Sequence, residues 1–296
     1  MKFLVLGPDR GWHANQLRAA AENAGDSIAF TDYEVLSSLV GDGDLLRCDS
    51  PAGDLHAFDV VLTRTMPLGT LEQVTFRLSI LHALQEAGVR VANPPRALEI
   101  AIDKYATTAR LQRLGLPVPR TAVSQTRSDA MAAFEQFDGP VVVKPMFGGE
   151  GRGVMRIETR ELAWTTFTTL QQLGAVIYQQ EYIPCNGQDL RLFVAGNLVW
   201  AVQRTNPHDW RTNVSRGAVC EQVVVTEAFR ELATTVCRSL QLHVAAIDLI
   251  QDAAGRIYVL EVNGVPGWKG AQSVIQENLA DRIFDSFHAS IPVVGS

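Results

Sequence analysis

Two acidic residues and an amide late in the chain carry the strongest chemical signal. The segment Val244 to Asn263 reads as two apolar strands joined by a turn at Asp252 to Gly255. A four-residue turn faces Gln251 with Arg256, and moving it on by one residue keeps the parity. Asp248 therefore shares a face with positions 259, 261 and 263, because strand side chains alternate. Asp248, Glu261 and Asn263 converge from an otherwise apolar hairpin. The two carboxylates repel unless a cation lies between them, and hard oxygen donors of this kind suit Mg²⁺, which also takes substrate phosphates. A lone acidic strand residue is more often hydrogen-bonded or solvent-facing; three polar groups on one face favour the metal.

A bound divalent ion invites a phosphate. The strand-like run Pro140-Val141-Val142-Val143-Lys144-Pro145 leads into Gly148-Gly149-Glu150-Gly151-Arg152-Gly153, whose backbone N–H groups are free to approach a phosphate closely. It is not a Walker A loop, since no Gly-Lys-Ser/Thr follows and it opens no helix. Taken alone, a glycine-rich hairpin tip with no ligand fits equally well. Arg204, Trp210, Arg211, Asn213 and Arg216 crowd a polar stretch after an apolar strand, where guanidinium forks suit phosphate or carboxylate oxygens. Arg64, in Thr63-Arg64-Thr65, follows another strand and is a candidate for a substrate carboxylate, although a surface ion pair is the commoner role for one arginine. The six histidines and four cysteines form no Ser-His-Asp, Cys-His or CxxC arrangement.

The elements that must position these groups fall into two patterns. Over residues 1–93, short apolar strands (Phe3 to Leu6, Ser27 to Phe30, Phe58 to Thr63, Val89 to Ala92) alternate with helical stretches after Asn15 and from Leu71 to Ala87. This argues for a small parallel sheet flanked by helices. Asn93-Pro94-Pro95 makes a natural boundary. Beyond it, strands recur at 175–178, 190–194, 198–203, 244–250 and 256–262 around a helix from Glu227 to Leu240, an α+β pattern. The expected fold is thus α/β followed by α+β, with units at 1–93, 94–178 and 179–296.

Composition limits the function. With 26 Lys+Arg against 32 Asp+Glu, the net charge of −6 excludes a broadly basic nucleic-acid binder. No apolar run approaches the ~18–20 residues of a membrane span, and the apolar start is too short for a signal peptide, so a cytoplasmic protein with no membrane partner is expected.

In this order the pieces resemble the ATP-grasp superfamily, and within it the RimK-type carboxylate–amine ligases. The matching residues are Asp103-Lys104, Gly115-Leu116-Pro117-Val118-Pro119, Val143-Lys144-Pro145 with the glycine loop, Gln180-Glu181-Tyr182-Ile183, Asp189-Leu190-Arg191, Arg211-Thr212-Asn213, Asp248 and Glu261-Val262-Asn263. The resemblance implies an ATP-grasp fold behind an N-terminal parallel-sheet domain. It implies ATP held by Lys104 and Lys144 at the phosphates, Gln180 to Ile183 framing adenine on the hinge, and Asp189 near the ribose. Gly149, Glu150, Gly151 and Gly153 would close over the triphosphate. Arg211 and Asn213 would meet the γ-phosphate or acyl intermediate with Lys144. Asp248, Glu261 and Asn263 would carry Mg²⁺, or Mn²⁺ in its place.

The implied reaction joins a small-molecule carboxylate to an amine through an acyl phosphate, in an enzyme that is a dimer or tetramer. Other ATP-grasp proteins are kinases of small-molecule hydroxyls, and a nucleotide-binding module without turnover is a third reading. Where many relatives carry Asn-Ser-Ser-Pro-Gly, this chain has Asn263-Gly264-Val265-Pro266-Gly267, which makes Gly264, with Arg64 and Arg204, a candidate for the substrate pocket. Similar endings occur in ATP-grasp proteins of methanopterin-type cofactor synthesis, where glutamate is added to a pterin-linked carboxylate.

Overall fold

The computed structural model describes residues 1–42, 45–149 and 151–289. Its first unit runs β1 (Lys2–Leu6), α1 (Trp12–Ala24), β2 (Ser27–Thr31), β3 (Ser37–Asp42), β4 (Leu45–Ser50), β5 (Gly53–Asp54), β6 (Val60–Thr63), α2 (Leu71–Glu86) and β7 (Arg90–Ala92). The four apolar strands expected from the sequence form one parallel sheet in the order β2-β1-β6-β7. Strands β3 to β5 form a small separate antiparallel sheet that the sequence pattern had not suggested. Helix α2 begins where Thr70 and Gln73 cap each other's backbone N–H groups, and α1 ends at Gly25 in the left-handed region.

The second stretch contains α3 (Pro95–Ile102), α4 (Lys104–Arg113), β8 (Thr121–Ser124), α5 (Arg127–Phe134), β9 (Val141–Lys144), β10 (Met155–Ile157), α6 (Arg160–Gln172) and β11 (Ile177–Glu181). Its antiparallel sheet runs β10-β9-β11-β8, with α5 and α6 packed on one face through Ala130, Ala163 and Phe167. The third contains β12 (Gln188–Ala195), β13 (Leu198–Thr205), β14 (Val219–Val223), α7 (Glu227–Leu240), β15 (Val244–Gln251), β16 (Ile257–Asn263), α8 (Lys269–Gln272) and α9 (Leu279–His288). Its sheet is antiparallel, in the order β14-β13-β12-β15-β16.

Packing regroups the expected units. Helices α3 and α4 bury Ala97 and Leu111 against Leu192, Ile247 and Val262, so they belong to the core of the third sheet. The boundary expected at 178 falls inside β11. Helix α9 closes the core of the first sheet, where Phe284 and Phe287 stack on Phe3 with ring centroids 4.5 and 5.5 Å away.

Asn93 ties these layers together. It is 2% exposed; its Nδ2 donates to the carbonyls of Val244 (2.7 Å) and Gly264, and its Oδ1 accepts from the N–H groups of His243 (2.6 Å) and Val244 (3.0 Å). Its own N–H donates to Thr63 Oγ1 at the end of β6. An apolar residue there strands buried backbone groups, each costing about 1–3 kcal/mol. Asn93→Ala is expected to lower unfolding stability by roughly 3 kcal/mol, read as a fall in urea midpoint at constant m-value; an unchanged midpoint contradicts the latch.

Candidate active site

A cleft with about 940 Å³ of space open to solvent separates the sheet of β8 to β11 from the sheet of β12 to β16. Lys144 ends β9 opposite Tyr178 of β11, and its Nζ donates to Gln180 Oε1 at 2.6 Å. Gln180 in turn donates through Nε2 to Tyr178 Oη (2.8 Å) and Thr121 Oγ1 (3.0 Å), and Tyr178 Oη meets Thr108 Oγ1 at 2.9 Å. A buried polar relay therefore fixes the ammonium. Gln180 acts behind the cleft wall as well as on it, a role its place in the hinge motif did not disclose. Enclosure pushes the Lys144 pKa down to about 8, with Glu261 opposing and Lys104 adding to the shift. Lys104, the first residue of α4 after the N-cap Asp103, donates to the Gly148 carbonyl at 2.6 Å and lies 3.5 Å from Glu261 Oε1.

In the β15–β16 pair Asp248 lies directly opposite Glu261, and Ala246 opposite Asn263. This register puts the three side chains on one face of the sheet, with Asp248 and Glu261 lining the cleft. The expected alternation fails at Val259: the register slips between Asp248 and Leu249, so Val259 pairs with Leu249 and is buried in the core, while Leu260 and Glu261 both line the cleft.

Asp248 is less available than expected. Its Oδ1 and Oδ2 accept from Arg191 Nε and Nη2, each at 2.7 Å, and Arg204 Nη2 lies 3.2 Å from Oδ1. Burial alone would push this carboxyl up; the two guanidiniums outweigh burial and hold it well below the usual carboxylate range. Asp189, expected near a ribose, has its carboxylate taken by Arg204 and Thr212 Oγ1. Arg204, expected to meet substrate, is 4% exposed and bound to both aspartates. These two residues order the cleft floor. Arg191 went unassigned, although its alternation with Asp189 on β12 and its position opposite Asp248 on β15 put all three on one face.

On the hinge, Glu181, Tyr182 and Ile183 line the cleft. Glu181 Oε1 accepts from the Arg120 N–H at 2.9 Å, and the Tyr182 ring lies under the Arg156 guanidinium (4.1 Å) and edge-on to Trp210. The glycine loop forms the β9–β10 hairpin tip. Gly149 and Gly151 line the cleft; Glu150 lies outside the described residues. Gly151 has φ +68°, and a Cβ there would stand 2.3 Å from Asn213 Oδ1; one at Gly153 would meet Pro145 at 2.8 Å. Only glycine lets the tip settle onto Asn213. Arg211 lines the cleft but holds Asp209 with Nη2 2.8 Å from Oδ2. Gly264 is buried outside the cleft: a Cβ would meet Ala101 at 3.1 Å and Leu242 at 3.2 Å. Glycine at this position therefore sits in close packing and is not among the residues that line this cleft.

Facing lysines, a glycine strap and paired acidic strands in a cleft between two sheets define a nucleotide-grasping protein. A RimK-like ATP-grasp domain model matches residues 101–287. The tetrahydromethanopterin:alpha-L-glutamate ligase of Methanosarcina acetivorans is 31% identical over 318 residues, covering 95% of this chain and 97% of that one. The probable alpha-L-glutamate ligase 2 of Shewanella frigidimarina is 33% identical over 235 residues, covering 78% of this chain and 77% of that one. The solved structure of the ATP-grasp ligase PsnB with its minimal precursor, Mg and ADP superposes with a TM-score of 0.73 at 19% identity, covering 97% of this chain and 98% of that one. The chain belongs to the RimK-like ATP-grasp family of ATP-dependent ligases. Among the described residues no helix is long and apolar enough to cross a membrane.

The donor set fits Mg²⁺. Glu261 is half-exposed in the cleft, Asn263 Oδ1 accepts one bond from the Val265 N–H at 3.0 Å and keeps a lone pair, and Asp248 Oδ2 accepts one bond and keeps another. One or two carboxylates are enough for an ion that also keeps water and phosphate oxygens. Lys144 is charged only below about pH 8, so its attraction for phosphate is complete at lower pH and lost as pH rises through that value. ADP, whose terminal phosphate is fully ionised above about pH 6, is expected to bind progressively more weakly as pH rises through about 8, and Lys144→Arg to flatten the profile; calorimetric affinities that stay level through that range in wild type contradict the assignment.

Proposed function

We propose that this protein uses Mg²⁺ and ATP to activate a carboxylate as an acyl phosphate and joins it to the amino group of glutamate. The observation that carries this reading is the meeting of Lys104, Lys144 and Glu261 under the glycine loop, cations from two elements against an oxygen donor from a third. Family membership supports the ATP-dependent ligase class. The names of the relatives, tetrahydromethanopterin:alpha-L-glutamate ligase and probable alpha-L-glutamate ligase, support glutamate as the amine, and the Mg and ADP bound by PsnB support the cofactor.

In this reading, Lys144 and Lys104 hold the phosphates while Tyr182 and Ile183 flank the base. Arg211 stands where charge grows on the transferring phosphoryl oxygens, releasing Asp209 as it turns to them. Glu261 and Asn263, with the remaining Asp248 lone pair, would hold Mg²⁺, which supplies charge neutralisation on the phosphates. The glycine loop, seated on Asn213, excludes water that would hydrolyse the acyl phosphate before the amine arrives. No side-chain nucleophile is needed.

The test is a mass-spectrometric screen of the purified protein with ATP, Mg²⁺, L-glutamate and a panel of carboxylates, the pterin-linked class included. The expected product gains one glutamyl unit, with ADP and phosphate released only when both substrates are present. Glu261→Gln and Lys144→Met are each expected to lower kcat by roughly a hundredfold. A product that retains phosphate instead identifies a kinase and overturns the ligase reading.

A further inference from the structure

A second cationic site lies one loop away from the nucleotide cleft. In the order β2-β1-β6-β7 the chain leaves β1 through α1 toward one edge and β6 through α2 toward the other. The crevice beyond the carboxyl ends of β1 and β6 is thus the switch point at which open parallel sheets bind ligands. Gly7 and Arg64 occupy it, packed so closely that a Cβ on Gly7 would lie 2.9 Å from Arg64 Cβ. The loop 264–268, leaving Asn263, brings Trp268 and Lys269 to the same place: the Arg64 guanidinium lies over the Trp268 ring at 4.8 Å. His13, on the first turn of α1, stacks edge-on against Trp268 at 4.6 Å and accepts the Trp268 backbone N–H at Nε2.

Three features of this cluster are unbalanced. Neither Arg64 nor Lys269 forms an ion pair with any carboxylate among the described residues, and enclosure pushes the Arg64 pKa down to about 10. The indole N–H of Trp268, a residue only 1% exposed, has no acceptor. The pKa of His13 is pushed down to about 4 by burial and by the neighbouring Arg64 and Lys269, so it stays neutral and adds no charge of its own. An enclosed guanidinium and a buried indole donor without partners, with the exposed Lys269 adding positive charge beside them, cost free energy until an anion arrives.

We propose that Arg64, Lys269 and the Trp268 indole N–H form a subsite for a substrate carboxylate, separate from the phosphate-binding lysines and adjoining them through the 264–268 loop. This rests on the ligase reading, in which both substrates carry carboxylates beyond the reacting group or in it. A carboxylate here takes charge-assisted hydrogen bonds from the guanidinium and the indole, with Lys269 at the rim. The flat tryptophan and imidazole rings exclude water on one side of it. The subsite thereby holds the substrate by its spectator acid while the reacting centre lies at the cleft.

Two probes separate the possible sources: L-glutamate, for the incoming amine, and glutarate, which has the carboxylates without the amine. The chain has five tryptophans, so its indole N–H signals in a ¹⁵N correlation spectrum are few, and Trp268→Phe identifies that of Trp268. One or both probes are expected to shift that signal in the wild type. Arg64→Gln and the exposed Lys269→Gln are expected to weaken binding by about tenfold or more, with Arg64→Lys recovering part of the loss. A shift with L-glutamate alone assigns the subsite to the amine substrate; an equal shift with glutarate assigns it to carboxylate recognition on the acceptor. No shift with either probe, or Kd values unchanged in both Gln variants, overturns the proposal. If the shift is present but no amide forms with ATP and Mg²⁺, the ligase reading fails and the subsite stands. If amide forms while both variants keep wild-type KM values for both substrates, the subsite fails and the ligase stands.

Discussion

The Lys144 ammonium is enclosed at the end of β9, bound by an amide oxygen and touched by no carboxylate among the described residues. A charge held in that way is out of balance, and much of the surrounding structure either tolerates or exploits the imbalance. The Thr108–Tyr178–Gln180 relay prevents the lysine from folding away to a better partner. Lys104, bonded to the glycine loop, adds a second positive charge and lies 3.5 Å from Glu261. An incoming polyphosphate satisfies both lysines at once, and a metal on Glu261 lets the phosphates and the glutamate coexist. Binding energy thus comes from relieving a strain in charge that folding has already fixed in place, which is the form of preorganisation that lowers barriers.

Behind this reactive edge lies a charge-balanced layer. Asp189, Arg204, Asp248 and Arg191 link β12, β13 and β15 with two positive and two negative groups, and Thr212 extends the network into the loop that carries Arg211 and Asn213. Buried pairs of this kind seldom add net stability relative to apolar packing, but losing one member typically costs about 3–5 kcal/mol. Their value here is positional. They fix the height of Asp248 next to Glu261 and the course of the 206–213 loop, which Asn206 also holds through the carbonyl of Arg211. The site is therefore stiff where it meets phosphate and adjustable at Arg211, whose partner Asp209 lies on the same loop.

Much of this was legible in the residues, for identifiable physical reasons. The glycine loop and the Asp248–Glu261–Asn263 face depend on local strand alternation and short-range spacing, which a sequence displays directly, whereas Lys104 and Lys144 were picked out by the resemblance to a family. What stayed hidden depends on long-range register and packing. The fate of Val259 turned on a bulge, and bulges have no mark in a pattern of alternating residues. Asp189 and Arg204 looked available because nothing in the chain announces that β12 pairs with β13 on one side and β15 on the other. Gly264 looked like a pocket residue, whereas packing sets it close against Ala101 and Leu242, a proximity that no local pattern displays. The joining of α9 to the first sheet, and of α3 and α4 to the third, follows from tertiary burial that their own periodicity cannot direct.

If Glu261 and the two lysines form one site, metal and nucleotide must bind together, and the linkage must pass through that carboxylate. The direct measurement is the calorimetric affinity for AMP-PNP with and without Mg²⁺, in the wild type and in Glu261→Gln. Tighter binding with Mg²⁺ in the wild type, with most of that gain lost in the variant, is the expected result. A variant that keeps the full Mg²⁺-dependent gain would show that the metal and the phosphates meet elsewhere.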